Sequence, residues 1–291
     1  MARPLELPPR RDLPSGSEQG PGWTLLHGDC LDALEGLPPR SVDLIFADPP
    51  YHLSNGGTTC QSGRRVRVDK GDWDASRGVE TDHDSQRRWL AACQRVLGPS
   101  GTLWVSGTQH VIFSVGYAMQ ELGFHLLNTV TWYKPNAAPN LACRFFTHST
   151  EILLWASPTR LRPLPHRFNY REMKARNGGK QMRDLWEICE RPDPGGDQVV
   201  WPLPTPGPRE KVHGRHPTQK PLALLERVVA ASAAPGDLVL DPFCGSGTTG
   251  VAAILAGCRF VGVERDPTYV ALAARRLRAT LEERAPLAAA R

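Results

Sequence analysis

No run in this 291-residue sequence is apolar for long enough to span a membrane, and its first residues carry no apolar signal-peptide core. The expectation is a cytoplasmic protein with no membrane partner. No Cys-x-x-Cys pair occurs, although there are 7 cysteines, at positions 30, 60, 93, 143, 189, 244 and 258. An odd number of scattered thiols, several inside apolar runs, argues against a disulfide framework and reads as reduced structural cysteine. His213 and His216 have no paired cysteines beside them, so no metal is expected. Internal repeats are also lacking.

What is present is ordinary in amount, with 40% hydrophobic and 22% charged residues, enough for one substantial core. The net charge of +5 becomes informative through its distribution. Residues 160–215 hold 12 Lys or Arg against 7 Asp or Glu, so this window carries the whole excess. A localised basic segment suits phosphate contact, and a solvated surface has the same composition.

Along the chain, residues 1–22 are rich in Pro and Gly and read as a flexible arm. Apolar runs at 24–29, 41–47, 102–106, 126–133 and 151–156 read as strands. Helical spacing appears at 84–97 and 110–122. From Pro158 the periodicity fades in favour of Pro, Gly and Arg, with Trp186, Ile188, Val199, Val200 and Trp201 as candidate burial points. The strand–helix rhythm returns after His216, with helices at 222–234, 248–256 and 267–283 and strands at 238–240 and 259–264. The expected domains are 23–157, an insert at 158–215, a second half at 216–284 and a tail at 285–291. Alternating strands and helices imply an α/β fold with a mostly parallel sheet, helices on both faces, and ligands at the strands' C-terminal ends. Asp29, Asp48 and Glu264 each end a strand.

Two motifs carry chemistry. Asp241-Pro242-Phe243-Cys244-Gly245-Ser246-Gly247-Thr248-Thr249-Gly250 joins a strand to a helix, with glycines that let the backbone approach a ligand. Glu264 follows Gly245 by 19 residues, the spacing at which an acid reaches ribose hydroxyls. The glycine spacing admits a nicotinamide cofactor equally well. Asp48-Pro49-Pro50-Tyr51 at a strand end breaks the tie. An exocyclic base amine is a poor nucleophile because its lone pair is delocalised. A carboxylate (Asp48) and a carbonyl (Pro49, fixed by Pro50) accepting its two N–H bonds would aim that lone pair at a methyl donor, while Tyr51 stacks on the extruded base.

With Asp48-Pro49-Pro50-Tyr51 preceding the glycine turn, and His216-Pro217-Thr218-Gln219-Lys220-Pro221 just upstream of it, the sequence resembles the amino-methyltransferases of bacterial DNA over roughly residues 24–275. The motif order is the circularly permuted one. The run DPPYHLSNGG followed by KGDWD resembles in particular adenine methylases of restriction–modification systems. The resemblance implies a Rossmann-like fold that binds S-adenosyl-L-methionine. It makes Phe243, Gly245, Gly247 and Thr248, with Asp241 opening the turn, the cofactor loop. Glu264 becomes the ribose acid, Asp29 the contact to the cofactor's adenine, and Thr218 and Lys220 the contacts to its methionyl end. Asp48 also borders the cofactor. The interval after the 151–156 strand corresponds to the family's target-recognition region, with Arg171, Lys174 and Arg176 as phosphate contacts. Arg64, Arg65, Arg67 and Lys70 read as a basic loop over the DNA, and Lys134 as a cation beside the flipped base. Double-stranded DNA is the implied partner, and a homodimer and a cognate restriction endonuclease are compatible with the family.

No Pro-Cys dipeptide occurs, which excludes the nucleophile that methylation at cytosine carbon-5 requires. Adenine N6 and cytosine N4 share one mechanism, and the aspartate of DPPY is usual for the adenine enzymes, so adenine is expected. The other readings are a silent DNA-binding relative, which would have lost a motif residue, and a nicotinamide oxidoreductase, which would need neither DPPY nor HPTQKP.

Overall fold

The computed structural model describes residues 13–54, 58–61, 64–67, 74–134, 137, 139–141, 143–160, 163–186 and 206–289. Nine strands form one sheet in the order β1-β2-β11-β10-β3-β6-β8-β7-β9, and β4 and β5 form a separate hairpin. The centre is parallel: β2 (Trp23–His27), β11 (Arg259–Glu264), β10 (Leu238–Asp241), β3 (Val42–Ala47) and β6 (Leu97–Gly107) run in one direction. Next to β6 lies β8 (Thr150–Ser157), antiparallel both to it and to β7 (His125–Tyr133). The start of β8 therefore sits at the edge where the parallel strands end. A short β9 (Leu185–Trp186) closes that side.

Buried apolar runs make these strands central. In β3, Leu44 and Phe46 enter one core while Val42, Ile45 and Ala47 enter the other. Against the first core pack α5 (Leu222–Ser232), α6 (Thr248–Leu255) and α7 (Pro267–Ala289); against the second pack α1 (Cys30–Glu35), α2 (Val79–Val96) and α3 (Ile112–Glu121). This two-faced burial is what a parallel sheet in an α/β domain requires. No helix among the described residues is long and apolar enough to cross a membrane.

Three places differ in detail from the sequence pattern. Within the expected arm, Glu18–Gly20 forms β1, an antiparallel edge strand on β2. The Trp23 ring lies where a side chain on Gly20 would be, and Arg278 pairs with Glu18 at 2.7 Å. Residues 1–12 lie outside the described residues. Gly98–Gly101, which lies between the expected helix at 84–97 and the expected strand at 102–106, is part of β6. It bulges between the pairs Val42↔Leu97 and Leu44↔Thr102, and a Cβ on Gly101 would meet the Asp43 carbonyl at 2.9 Å. After Pro158, α4 (Tyr170–Arg176) and β9 attach to the sheet's flank: Met173 and Trp186 join the core of Trp104 and Trp155, and Asn169 donates to the carbonyls of Ala230 and Ala233 at the end of α5. Residues 187–205, with Ile188, Val199, Val200 and Trp201, lie outside the described residues.

Candidate active site

The ends of β2, β3, β10 and β11 border one cavity of about 960 Å³, near the upper end of the range for ligand sites. Each strand delivers its acid there. Asp29, just past β2, caps α1 by accepting from the Leu31 N–H at 2.8 Å. Glu264, the last residue of β11, accepts from the N–H groups of Gly245 (2.9 Å) and Asp266 (2.8 Å). Burial, partly offset by these bonds, raises its carboxyl above the usual range. Asp241 ends β10 and braces the glycine turn, accepting from the Phe243 N–H at 3.0 Å and the Thr249 hydroxyl at 2.5 Å. Deep burial lifts its pKa to about 7.

The glycines in the turn are sterically required. Gly245 (φ 49°) lies under the His216 ring, and a Cβ there would meet that ring at 3.1 Å. Gly247 (φ 76°) caps α6 and leaves 2.8 Å between an added Cβ and that of Ala273. Gly247 stands behind the cavity, whereas Phe243, Gly245 and Thr248 line it. Thr248 and Ser246 are tied together through Arg276. His216 packs edge-on against Tyr269 and accepts from the Thr218 N–H, so the 216–220 segment is held over the turn. A side-chain-free approach, acids at the strand ends and a cavity of this size fit a nucleoside cofactor.

At the end of β3, Asp48 and Tyr51 belong to a buried polar network. The Tyr51 hydroxyl lies 2.7 Å from Asp48 Oδ1, 2.9 Å from Ser106 Oγ and 3.2 Å from Glu151 Oε2. The Lys220 ammonium donates to Asp48 Oδ2 at 2.6 Å and lies 3.5 Å from Glu151 Oε2, 5.1 Å from the centre of the Tyr51 ring. On the far side, Lys134 donates to Glu151 Oε1 at 2.9 Å. Burial, reinforced by Glu151, pushes the Asp48 carboxyl up, although Lys220 opposes it. Burial also opposes the Glu151 charge, but Lys220 and Lys134 together outweigh it and hold that carboxyl below its ordinary range. The Lys220 pKa is raised: two carboxylates outweigh its burial. Tyr51 is pushed well up by burial and both carboxylates, so its hydroxyl keeps its proton.

The sequence reading missed three residues. Ser106 and Glu151 belong to this network, and Asp74 holds the motif's main chain. Its Oδ1 accepts from the Tyr51 N–H at 2.9 Å, and its Oδ2 from the Leu53 N–H (2.9 Å) and the Ser54 hydroxyl (3.0 Å). Pro49 and Pro50 line the cavity beside them.

The expected DNA contacts are placed unevenly. Arg64, Arg65 and Arg67 form β5 (Arg64–Arg67), paired antiparallel with β4 (Thr58–Gln61); this hairpin springs from the cavity rim between Ser54 and Asp74. Lys70 lies outside the described residues. Lys134 is turned inward onto Glu151. Arg171, Lys174 and Arg176 lie on α4 and do not line the cavity, and Arg176 pairs with Glu172 at 2.7 Å.

Comparison with known proteins agrees with this geometry. The family model described as DNA methylase, covering N6 and N4 methyltransferases, matches residues 42–275. The Type II methyltransferase M2.LlaDCHI of Lactococcus lactis subsp. cremoris is 47% identical over 87% of this chain and 88% of its own length. M2.DpnII of Streptococcus pneumoniae, also a Type II methyltransferase, is 47% identical over 89% and 90%. In fold, the chain is similar to the crystal structure of the M1.HpyAVI–SAM complex, with a TM-score of 0.59 and 24% identity over 88% of this chain and 98% of that one. A glycine-turn cofactor site and a DPPY network on one permuted sheet, in a chain so similar to these relatives, mean that it belongs to the N6/N4 DNA methylase family and is an S-adenosyl-L-methionine-dependent DNA methyltransferase.

Proposed function

We propose that the chain methylates the N6 amine of adenine after flipping the base out of double-stranded DNA, with Asp48 as the acceptor that orients the amine. The observation carrying this reading is the position of Asp48: just past the end of β3, half-buried, and lining the same cavity as the glycine turn and Glu264. The cofactor's sulfonium supplies the methyl group. The chain supplies the rest: Asp48 and the Pro49 carbonyl draw the two N–H bonds of the amine, and Tyr51 faces the base. Transfer forms an N–C bond, breaks an S–C bond and releases one proton from nitrogen. Asp48, with its carboxyl raised by burial, is suited to accept that proton transiently. Asp29 and Glu264 would hold the nucleoside part of the cofactor, and Thr218 its methionyl end; Lys220, expected beside Thr218, has its ammonium engaged by Asp48 and Glu151. An aspartate opening DPPY favours adenine over cytosine.

The Type II relatives support a further proposal, that a cognate restriction endonuclease shares the recognition sequence. A homodimer is tested by sedimentation of the free enzyme. For the base itself, unmethylated plasmid is incubated with methyl-labelled cofactor and digested to nucleosides for mass spectrometry. N6-methyladenine is the expected product. N4-methylcytosine would overturn the base assignment while leaving the fold and the cofactor in place.

A further inference from the structure

Both oxygens of Asp48 are occupied in this structure, Oδ1 by the Tyr51 hydroxyl and Oδ2 by the Lys220 ammonium. Each oxygen keeps a second lone pair, so an amine docking there would compete with these two donors, and it would bind Asp48 more strongly once they are drawn away. Each has the same second acceptor, Glu151 Oε2, at 3.2 Å from the Tyr51 hydroxyl and 3.5 Å from Lys220 Nζ. A charge-assisted hydrogen bond is about 2.8 Å long, so a shift of only about 0.7 Å brings Lys220 into full contact with Glu151 and lengthens its bond to Asp48. Glu151 itself is pinned: Lys134 holds its other oxygen, Ser106 Oγ lies 3.4 Å from Oε2, and its side chain is only 12% exposed.

We propose that Glu151 is the positioning residue that unmasks Asp48, drawing Lys220 and the Tyr51 hydroxyl away from it as the target base enters. The proposal rests on Asp48 being the acceptor for the amine. Glu151 touches neither the base nor the cofactor in this scheme; it acts through Lys220 and Tyr51. Lys220 also lies over the Tyr51 ring, so the same movement clears the ring for stacking. Charge is conserved throughout, with two carboxylates facing two ammonium groups before and after the exchange.

The test compares Glu151→Gln with the wild type in single-turnover methyl transfer across pH, alongside calorimetric binding of S-adenosyl-L-methionine. Around Asp48 stand Lys220 from the 216–220 segment, Tyr51 from its own motif, Glu151 from β8 with Lys134 behind it, and Asp241 from β10. Removing the Glu151 charge leaves Lys220 with Asp48 alone, which lowers the Asp48 carboxyl. The expected result is a plateau rate down by about 100-fold, an acid limb displaced to lower pH, and cofactor affinity within about threefold of the wild type. Glu151→Asp, which keeps the charge farther back, should fall between the two. It carries the test alone, through a slowed rate at unchanged cofactor affinity, if the Gln protein does not fold. A wild-type plateau, an unmoved acid limb, or a loss of cofactor binding that accounts for the rate overturns the proposal. Asp48→Ala run in parallel separates the two claims: an active Asp48→Ala removes the underlying reading, and an inactive one beside a wild-type-like Glu151→Gln removes only this inference.

Discussion

Asp74 Oδ1 accepts the Tyr51 N–H at 2.9 Å, from 23 positions further along the chain, and so fixes the motif's backbone from the far root of the β4–β5 hairpin. Its other oxygen takes the Leu53 N–H and the Ser54 hydroxyl. Asp74 is 1% exposed, so these donors have little water to fall back on. Asp74→Ala strips acceptors from two main-chain N–H groups, at about 1–3 kcal/mol each where they stay buried. The expected outcome is a loss of about 2–6 kcal/mol in urea unfolding and a larger fall in kcat than in cofactor affinity. Wild-type stability together with a wild-type rate would count against this role.

Asp48→Ala should abolish methyl transfer while S-adenosyl-L-methionine still binds. The carboxylate is tied to Tyr51 and Lys220, whereas Glu264, the proposed ribose acid, has its own partner on the glycine turn. Calorimetry and a filter-binding transfer assay on the same preparation separate the two effects. Measurable transfer by the variant would rule out Asp48 as the essential acceptor.

The acids at Asp29, Asp48 and Glu264 were legible in the sequence because each follows an apolar run, and in a parallel sheet those run-ends converge. Glu151 was not, because it begins its apolar run. Only the reversal of β8 against β6 brings a strand's start to the same edge, and strand direction leaves no mark in a single strand's residues. Ser106 looks like a polar interruption of β6 until the Tyr51 hydroxyl is found 2.9 Å away. Asp74 acts across a hairpin, a distance that local periodicity does not register. Glu18–Gly20 has no apolar alternation at all; its pairing comes from Trp23 lying over Gly20 and from Arg278.

Gly247 and Gly178 offer a matched pair for testing the glycine turn. Both have positive φ, 76° and 61°, so an alanine at either adopts a left-handed conformation at a cost of about 1–2 kcal/mol. A Cβ on Gly178 meets nothing within 4 Å, but one on Gly247 would stand 2.8 Å from the Ala273 Cβ and force α6 away from α7. Overpacking adds about 1–3 kcal/mol. Gly247→Ala should therefore be clearly the less stable of the two and should alone weaken cofactor binding. Equal melting temperatures would mean that the α6–α7 contact yields freely.

Asp241 predicts a pH dependence of stability. Its pKa is about 7 in the fold against 3.8 for the free side chain, so the folded state retains a proton that the unfolded chain releases. The favourable contribution is complete below about pH 4 and declines as pH rises toward 7, with a slope of at most about 1.4 kcal/mol per pH unit. Asp241→Asn cannot ionise and should flatten that decline. Urea unfolding at pH 5 and pH 8 gives the comparison; an identical pH 5-to-8 difference in both proteins would show that Asp241 ionises normally.

The electrostatic footprint on DNA distinguishes two basic segments that composition alone cannot. The hairpin carrying Arg64, Arg65 and Arg67 rises from the cavity rim, while α4, with Arg171, Lys174 and Arg176 exposed on it, packs against α5, and Asn169 is anchored at that helix's C-terminal end. Each phosphate contact contributes about 0.9 to the slope of log affinity against log salt. Replacing the three hairpin arginines with glutamine should reduce the slope by up to about 2.7, with the α4 triple variant changing it less. A reduction confined to the α4 variant would place the phosphate backbone along the flank of α5. The bound duplex would then reach the cavity from the α4 side, leaving the hairpin clear of it.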